Sequence, residues 1–229
     1  MSTQVLVLAG GLSHERDVSL RSGRRVAEAL TDAGCAVQVR DVDAGLLPAL
    51  GEERPDVVWP LLHGASGEDG SIRDVLDLLD LPYVGSQPES CRRSWDKPVA
   101  KAVAAGAGLA VPAAVSLPHG TFRELGAQAV LAAIVDRLGL PLVVKPARGG
   151  SALGVSIVRS VEELPRAMVD CFAYGDVALV ERFIEGIEVA VSVIDPGTGA
   201  RALPSVEIVA DGGMYGYDAR YTAGATEFF

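Results

Sequence analysis

The sequence has little cysteine and little aromatic character. Only 3 of its 229 residues are cysteine, and aromatic residues make up 5%. Cys35, Cys91 and Cys171 are widely spaced and form no CxxC pair. This spacing argues against a disulfide framework and against a cysteine-based zinc site, and it fits a reducing cytosol.

An excess of positive charge is also absent. The chain carries 20 Lys and Arg against 30 Asp and Glu, which gives a formal net charge of −10. Such a balance argues against nucleic acid or an anionic membrane as the main partner, although a local basic pocket can still hold phosphates. We expect neither partner.

Long uninterrupted apolar runs are missing as well. The stretch from residue 102 to residue 122 has no Asp, Glu, Lys or Arg, but it is broken by Gly106, Gly108, Pro112 and Pro118. A membrane-spanning helix needs a longer and more apolar run. The chain also opens without a secretory signal pattern. We therefore expect a cytoplasmic protein.

Apolar residues make up 49% of the chain and charged residues 22%, which is ordinary globular usage. In the first 86 residues, short apolar runs alternate with helix-period segments. Strands are predicted at 4–9, 36–42, 56–62 and 82–85, and helices at 18–33 and 71–79. This alternation predicts a parallel, Rossmann-like α/β sheet.

A second organisation begins near residue 94. Helices are predicted at 96–106, 127–138 and 161–171, and strands at 113–117, 140–145, 155–158, 177–181, 187–194 and 202–209. The stretch from Asp211 onward is rich in Gly and Tyr, and its composition predicts a loop.

The segment from Leu142 to Gly154 gives the clearest indication of a binding site. Lys145 ends a predicted strand, and a glycine-rich loop with Ser151 follows at once. Backbone N–H groups in such a loop can face an anion, and the lysine adds a point charge for phosphate. The Walker pattern differs, since its lysine follows the loop. Taken alone, the segment also fits a surface hairpin with a solvated lysine.

Further motifs occur in a fixed order along the chain. They are 10–19 (GGLSHERDVS), 62–64 (LHG), 67–70 (GEDG), 82–86 (PYVGS), 96–97 (DK), 145–151 (KPARGGS), 181–188 (ERFIEGIE) and 215–221 (YGYDARY). Together they resemble the D-alanine–D-alanine ligase family of the ATP-grasp superfamily. Each motif is weak or moderate alone, but eight in the same order are specific.

This resemblance implies an α/β protein with a Rossmann-like N-terminal domain followed by an ATP-grasp fold. The implied domains are a substrate domain at 1–90, a central ATP-grasp subdomain at 91–178, and the start of an incomplete C-terminal ATP-grasp subdomain at 179–229.

The resemblance also implies an ATP-dependent ligase of peptidoglycan precursor synthesis. Such an enzyme phosphorylates the carboxylate of one D-alanine, and the amine of a second attacks the acylphosphate. Lys97 and Lys145 match the family's phosphate-binding lysines, and Glu181 and Glu188 match residues that hold adenine and ribose. The implied ATP site is completed by Gly149, Gly150, Ser151, Ile184 and Arg220.

The implied substrate residues lie mostly near the start of the chain. Glu15 matches the anchor of the first D-alanine's ammonium group, and His63 and Glu68 are the accompanying candidates. Ser151 and Tyr221 match hydroxyls that link to Glu15 and close the site, and Arg220 is grouped with them as catalytic. From residue type alone, Glu15 also fits a helix N-terminal charge, His63 a structural histidine, and Glu188 an exposed strand residue.

Two positions depart from the family pattern. Ala152 stands where a second serine is usual, and Arg220 stands where a lysine is usual. The family's Mg²⁺-binding acidic residues lie downstream of the tyrosine-rich segment, beyond Phe229. The expectations are therefore ATP and Mg²⁺ as cofactors, no metal ligand within these 229 residues, no activity of the chain alone, and a homodimer.

Two other functions fit the same residues. One is a non-catalytic homologue that keeps the nucleotide and D-amino-acid pockets. The other is an ATP-grasp ligase that uses a different D-amino or hydroxy acid, although Tyr221 favours D-alanine.

Overall fold

The computed structural model describes residues 2–229, so residue 1 of the predicted 1–90 domain lies outside the described residues. The chain separates into two compact units, the first ending at Ala107 and the second running from Gly108 to Phe229. The predicted boundary at residue 90 falls inside a helix, and that at residue 178 falls inside a strand. The three-part division remains a prediction.

The first unit alternates strands with helices, as its sequence predicts. Its elements are β1 (Gln4–Leu8), α1 (Arg16–Asp32), β2 (Ala36–Arg40), α2 (Leu46–Glu52), β3 (Val57–Pro60), α3 (Ala65–Glu68), α4 (Ser71–Leu78), α5 (Pro88–Trp95) and α6 (Lys97–Gly106). The strands form a parallel sheet in the order β2-β1-β3. Parallel pairing requires a crossover between strands, and α1 and α2 supply it.

Apolar side chains of β1 are buried on both faces of this sheet. Leu6 and Leu8 pack in a core with Leu46 of α2 and Leu76 of α4. On the other face α1 approaches β1 closely, since a Cβ at Gly23 would overlap the Cβ of Ala9. Coverage of both faces explains why β1 reads as a continuous apolar run.

The second unit contains two antiparallel sheets. Its elements are β4 (Ala114–Pro118), α7 (His119–Leu125), α8 (Ala127–Leu138), β5 (Leu142–Pro146), β6 (Ser156–Val158), α9 (Leu164–Phe172), β7 (Val177–Arg182), β8 (Val189–Ile194), β9 (Arg201–Ala210), α10 (Tyr217–Tyr221) and β10 (Thr226–Phe228). The strand orders are β4-β7-β5-β6 and β10-β9-β8.

Helices α7, α8 and α9 pack on one face of the four-stranded sheet. Leu142 and Val144 of β5 and Val180 of β7 share a core with Ile134 of α8 and Met168 of α9. Because side chains alternate along a strand, the residues between them point to the opposite face. Lys145 and Glu181 are among those residues.

The structure corrects two sequence predictions of local structure. The predicted strand at 82–85 is a single parallel bridge between Tyr83 and Val58. The predicted loop after Asp211 contains a short 3₁₀ turn, helix α10 and strand β10, which pairs with the end of β9. Sequence periodicity does not reveal these elements, because a helix of five residues and a strand of three have too few positions for a periodic pattern.

Candidate ligase site in two parts

The first part of the site lies where the parallel strands end. Glu15 follows β1 and His63 follows β3, so both occupy the carboxyl edge of the sheet, where ligands of α/β proteins bind. The Glu15 side chain is buried, with 4% of the residue exposed. A Cβ at Gly64 would lie 2.7 Å from Glu15 Oε2, and Gly64 has φ +70°, so this position requires glycine.

His63 joins the segments around Glu15. Its backbone oxygen accepts a hydrogen bond of 2.7 Å from Ser13 Oγ. Its ring Nε2 lies 3.3 Å from Ser22 Oγ, and its Nδ1 lies 4.0 Å from Glu68 Oε1. Burial lowers the pKa of His63, against the opposing effect of the Glu15 charge. The ring is therefore mainly neutral at pH 7.

Glu68 has the opposite shift. Burial, followed by repulsion from Glu15, raises its pKa to about 7, although the Gly64 N–H and the charges of Lys97 and Arg73 oppose the shift. This carboxyl group thus changes charge near neutral pH, and it does so beside Glu15 and His63. Perturbed titratable groups of this kind cluster at functional sites.

Lys97 is the first residue of α6. The preceding Asp96 caps the helix, and its carboxylate accepts a hydrogen bond of 3.2 Å from the Val99 N–H. The cap fixes the start of the helix, and with it the backbone of Lys97. The Lys97 charge also lowers the pKa of Glu68, so the lysine acts electrostatically on this carboxyl group.

The second part of the site lies on the face of the four-stranded sheet opposite the helices. Lys145 of β5 and Glu181 of β7 form an ion pair between Nζ and Oε1. Val143 pairs with Glu181 and Lys145 with Leu179, so the two charged residues are diagonal neighbours. Glu181 is 6% exposed. This face thus presents a charged pair among apolar residues.

The glycine-rich loop follows Lys145 directly. Gly149 has φ +122°, and the next residues, Ser151 and Ala152, have φ +51° and +57°. Two successive non-glycine residues in the left-handed region carry conformational strain. Ser151 Oγ lies 2.6 Å from Tyr221 Oη of α10. The loop is therefore tied to the tyrosine-rich segment 70 positions later.

Arg220 precedes Tyr221 on α10. Its guanidinium lies 3.9 Å from the ring centroid of Tyr215, which is a cation–π contact. Tyr217 packs edge-on against Tyr221, with ring centroids 4.9 Å apart. Both contacts lie within the tyrosine-rich segment 215–221, whose last residue contacts Ser151.

Ile184 and Glu188 lie in the connection between β7 and β8, and both are exposed. Glu188 precedes β8, and its backbone oxygen accepts a hydrogen bond of 2.9 Å from the Ile208 N–H. Gly150 lies in the glycine-rich loop, where its oxygen accepts a bond of 3.2 Å from the Leu153 N–H.

The structure thus groups the predicted residues by unit. Glu15, His63, Glu68 and Lys97 belong to the first unit, and the remaining candidates, Lys145, Gly149, Gly150, Ser151, Glu181, Ile184, Glu188, Arg220 and Tyr221, belong to the second. Sequence reasoning missed Ser22, the contact of His63. Its position on α1, two turns after Glu15, is the signal that points to it.

Within residues 2–229, no group of three or more His, Cys, Asp or Glu side chains is placed to hold a metal ion. In the same range no helix is long and apolar enough to cross a membrane.

A Rossmann-like unit followed by an antiparallel sheet with a lysine, a glycine-rich loop and a buried glutamate defines a ligase of the ATP-grasp class. Residues 103–229 match the family described as D-ala D-ala ligase C-terminus, and residues 42–86 match D-ala D-ala ligase N-terminus. The chain belongs to the D-alanine–D-alanine ligase family.

Individual relatives agree with this assignment. The chain is 41% identical over 226 residues to the D-alanine–D-alanine ligase of Bordetella petrii, covering 99% of this chain and 67% of that protein. It is 41% identical over 228 residues to the enzyme of Anaeromyxobacter dehalogenans, covering 99% and 70%. The chain thus spans about two thirds of the length of these relatives.

Solved structures give the same result. The D-alanine–D-alanine ligase of Bacillus anthracis superposes with a TM-score of 0.77 at 28% identity, over 100% of this chain and 71% of that one. The same enzyme complexed with ATP gives a TM-score of 0.76 at 26% identity, over 100% and 70%. The predicted fold class and ligase family are confirmed.

Proposed function

We propose that this chain carries the nucleotide and first-substrate sites of a ligase that joins two D-alanines for peptidoglycan. A carboxylate oxygen of the first D-alanine attacks the γ-phosphorus of ATP and releases ADP. The amine of the second D-alanine then attacks the acylphosphate carbonyl, with loss of phosphate and a proton. The observation that carries the proposal is the Lys145–Glu181 pair beside a strained glycine-rich loop, in a chain of this family.

The second unit binds ATP in this proposal. Lys145 lies at the start of the glycine-rich loop, so its ammonium faces the phosphates while Glu181 fixes its direction. Each charge-assisted contact to phosphate is worth about 1.5–3 kcal/mol. Backbone N–H groups of 149–151 supply further donors. The apolar residues around Glu181 suit the adenine ring, and the exposed Ile184 and Glu188 are the proposed contacts to adenine and ribose.

The first unit binds the first D-alanine. Glu15 is a buried carboxylate at the carboxyl edge of a parallel sheet, and its charge suits an ammonium group. His63 and Glu68 line the same edge, and Lys97 is the proposed second lysine for phosphate. In this arrangement a carboxylate faces the positive ammonium group of the substrate, and a lysine faces the negative phosphates of the nucleotide.

In this proposal the hydroxyls of Ser151 and Tyr221 are a further part of the ligase site. Their mutual contact of 2.6 Å supports a preformed hydroxyl pair. Arg220 keeps the positive charge that the family provides with lysine, and its stacking on Tyr215 orients the guanidinium.

Magnesium is part of the proposal, and it would neutralise charge between the β- and γ-phosphates. Among residues 2–229 no cluster of acidic side chains is placed to hold it. A cytoplasmic location is supported by Cys35, Cys91 and Cys171, which form no disulfide with one another. Homodimerisation rests on the family resemblance, and sedimentation tests it.

Calorimetric titration tests the proposal. The chain is titrated with a non-hydrolysable ATP analogue and Mg²⁺, and then with D-alanine or L-alanine. We expect nucleotide binding, and D-alanine binding that L-alanine does not reproduce. Formation of ADP and D-alanyl-D-alanine would demonstrate the ligase reaction directly. Absence of nucleotide binding would contradict the proposal, and preference for another D-acid would support the alternative ligase.

A further inference from the structure

The side chains of Arg16 and Asp41 bind both backbone groups of Gly11. The Gly11 N–H donates a hydrogen bond of 2.7 Å to Asp41 Oδ1, and Arg16 Nη1 donates one of 2.9 Å to the Gly11 oxygen. Arg16 Nη2 and Asp41 Oδ2 complete the arrangement at 2.5 Å. We call Arg16 and Asp41 the glycine-loop clamp.

The backbone of this loop has positive φ angles where it contacts the clamp. Gly10 has φ +118° and Gly11 has φ +78°, conformations that favour glycine. A Cβ at Gly10 would overlap the Asp41 carboxylate, so that carboxylate lies directly against the glycine backbone. Asp41 immediately follows β2, and the parallel register of β1 and β2 brings it beside the loop.

Glu15 lies on the far side of the same loop. Ser13 Oγ donates to the His63 oxygen at 2.7 Å and accepts a bond of 3.2 Å from the Glu15 N–H. The loop is thus held to β2 through the clamp, to β3 through Ser13, and to α1 by a bond of 2.8 Å from the Gly10 N–H to Ser19 Oγ. Only three residues separate the clamped glycine from Glu15, so loss of the clamp releases one of these three attachments.

The acceptor capacity of Asp41 is already used within the clamp. Its Oδ1 also accepts a bond of 2.7 Å from the Val42 N–H. The hydrogen bond from Arg16 is the largest cause that lowers the pKa of Asp41, against partial burial, so this carboxylate is charged throughout the neutral range. A carboxylate with three donors gains little from an incoming ammonium group. The two charges of the clamp cancel, so the clamp does not compete with Glu15 for the ammonium group.

We propose that Arg16 and Asp41 are positioning residues for the first amino acid, because they hold the loop that presents Glu15. This inference rests on the proposed function. The clamp acts through the loop and not through the substrate, and the proposed ATP residues Lys145 and Glu181 belong to the other compact unit. Its loss should therefore affect amino-acid affinity and leave nucleotide affinity unchanged.

Two variants of Asp41 separate its role as acceptor for backbone N–H groups from its role as the charged partner of Arg16. Asp41→Ala removes all acceptors, whereas Asp41→Asn keeps one oxygen for the backbone N–H groups and loses the charge pair. Asp170→Ala is the matched control, since it breaks the Arg166–Asp170 ion pair on α9, in the other unit. Each variant is titrated with D-alanine in the presence of an ATP analogue, and amide hydrogen exchange is followed at residues 10–15.

For Asp41→Ala we expect D-alanine affinity to fall about 10- to 100-fold, as displacement of a binding group by about 1 Å does. Exchange of the Gly11 amide should accelerate, and ATP-analogue affinity should not change. Asp41→Asn should lie between Asp41→Ala and the wild type, and it carries the test if Asp41→Ala does not fold. The control should match the wild type in all three measurements.

The outcomes separate this inference from the proposed function. If the wild type binds no D-alanine, the proposed function fails and the inference fails with it. If the wild type binds D-alanine and both Asp41 variants bind it equally well, only the inference is overturned. An equal loss of D-alanine and nucleotide affinity also overturns it, because it indicates general destabilisation.

Discussion

Ser151 Oγ and Tyr221 Oη lie 2.6 Å apart, although 70 positions separate them in the sequence. Ser151 sits in a strained loop after β5, and Tyr221 ends the short helix α10. A helix of five residues is not stable by itself, so contacts of this kind determine where it lies. The hydroxyl pair is the described link between the glycine-rich loop and the tyrosine-rich segment.

Removal of one hydroxyl tests this link. Tyr221→Phe should cost about 0.5–1.5 kcal/mol of stability, the usual net value of one hydrogen bond. Amide exchange should accelerate in residues 211–225 more than elsewhere. Tyr217→Phe is the matched control. Its ring packs against Tyr221, but the hydroxyl that contacts Ser151 is that of Tyr221. Equal effects of the two substitutions would contradict the assigned role of the hydroxyl pair.

Lys145 gives a second prediction. Lys145→Ala should weaken binding of the ATP analogue by about 10- to 150-fold, which corresponds to one lost charge-assisted contact. The measurement is calorimetric titration at constant ionic strength. Arg166→Ala is the control, since it removes an exposed charge from the same unit and breaks an ion pair there.

Stability needs a separate check for this variant. Loss of Lys145 removes one ion-pair partner of the buried Glu181, so the variant should also lose stability. The double variant Lys145→Met with Glu181→Gln removes both charges and should recover much of that stability. We expect it to fold and still to bind the nucleotide weakly. Nucleotide affinity restored in the double variant would show that Lys145 does not contact phosphate.

The sequence predicts most of the large elements because their periodicity is strong. The apolar run of β1 and the helical spacing of α8 give boundaries that differ from the structure by at most one residue. Short helices such as α2 and α5 were missed, because seven or eight residues hold too few turns for a clear pattern. Tertiary packing determines elements of this length.

The candidate site shows the same limit. Glu15, Lys145 and Glu181 are found from ordered motifs, and the Lys145–Glu181 contact follows once the strand register is known. Arg16 lies in the first motif but Asp41 lies in none, and 25 positions separate the two, so only the parallel β1–β2 register brings them together. The raised pKa of Glu68 also depends on burial, which spacing does not reveal.

Glu68 gives a prediction for pH dependence. Its pKa rises from 4.5 to about 7 on folding, so between these values the folded state binds more protons than the unfolded state. The contribution of this group to stability must therefore decrease as pH rises through that window. The lowered pKa of His63 acts in the opposite direction, because protonation then favours the unfolded state.

A substitution isolates the Glu68 contribution from that of His63. Glu68→Gln removes only the first effect, so its melting temperature relative to the wild type should increase as pH rises from 4.5 to 7. Asp170→Asn, an exposed carboxylate in the other unit, should show no such trend. A difference between Glu68→Gln and wild type that does not depend on pH would contradict the raised pKa.

The last prediction concerns backbone strain at Ala152, which has φ +57°. The left-handed region costs a residue with a Cβ about 1–2 kcal/mol, whereas glycine enters it freely. Glycine also loses more entropy on folding, by about 0.5–1 kcal/mol, so Ala152→Gly should be stabilising by about 0.5–1 kcal/mol. Ala152→Ser is the matched control, because it adds a hydroxyl and keeps the strain. Chemical denaturation of both variants measures the effect, and equal stability of the two would show that the loop conformation stores no strain at this residue.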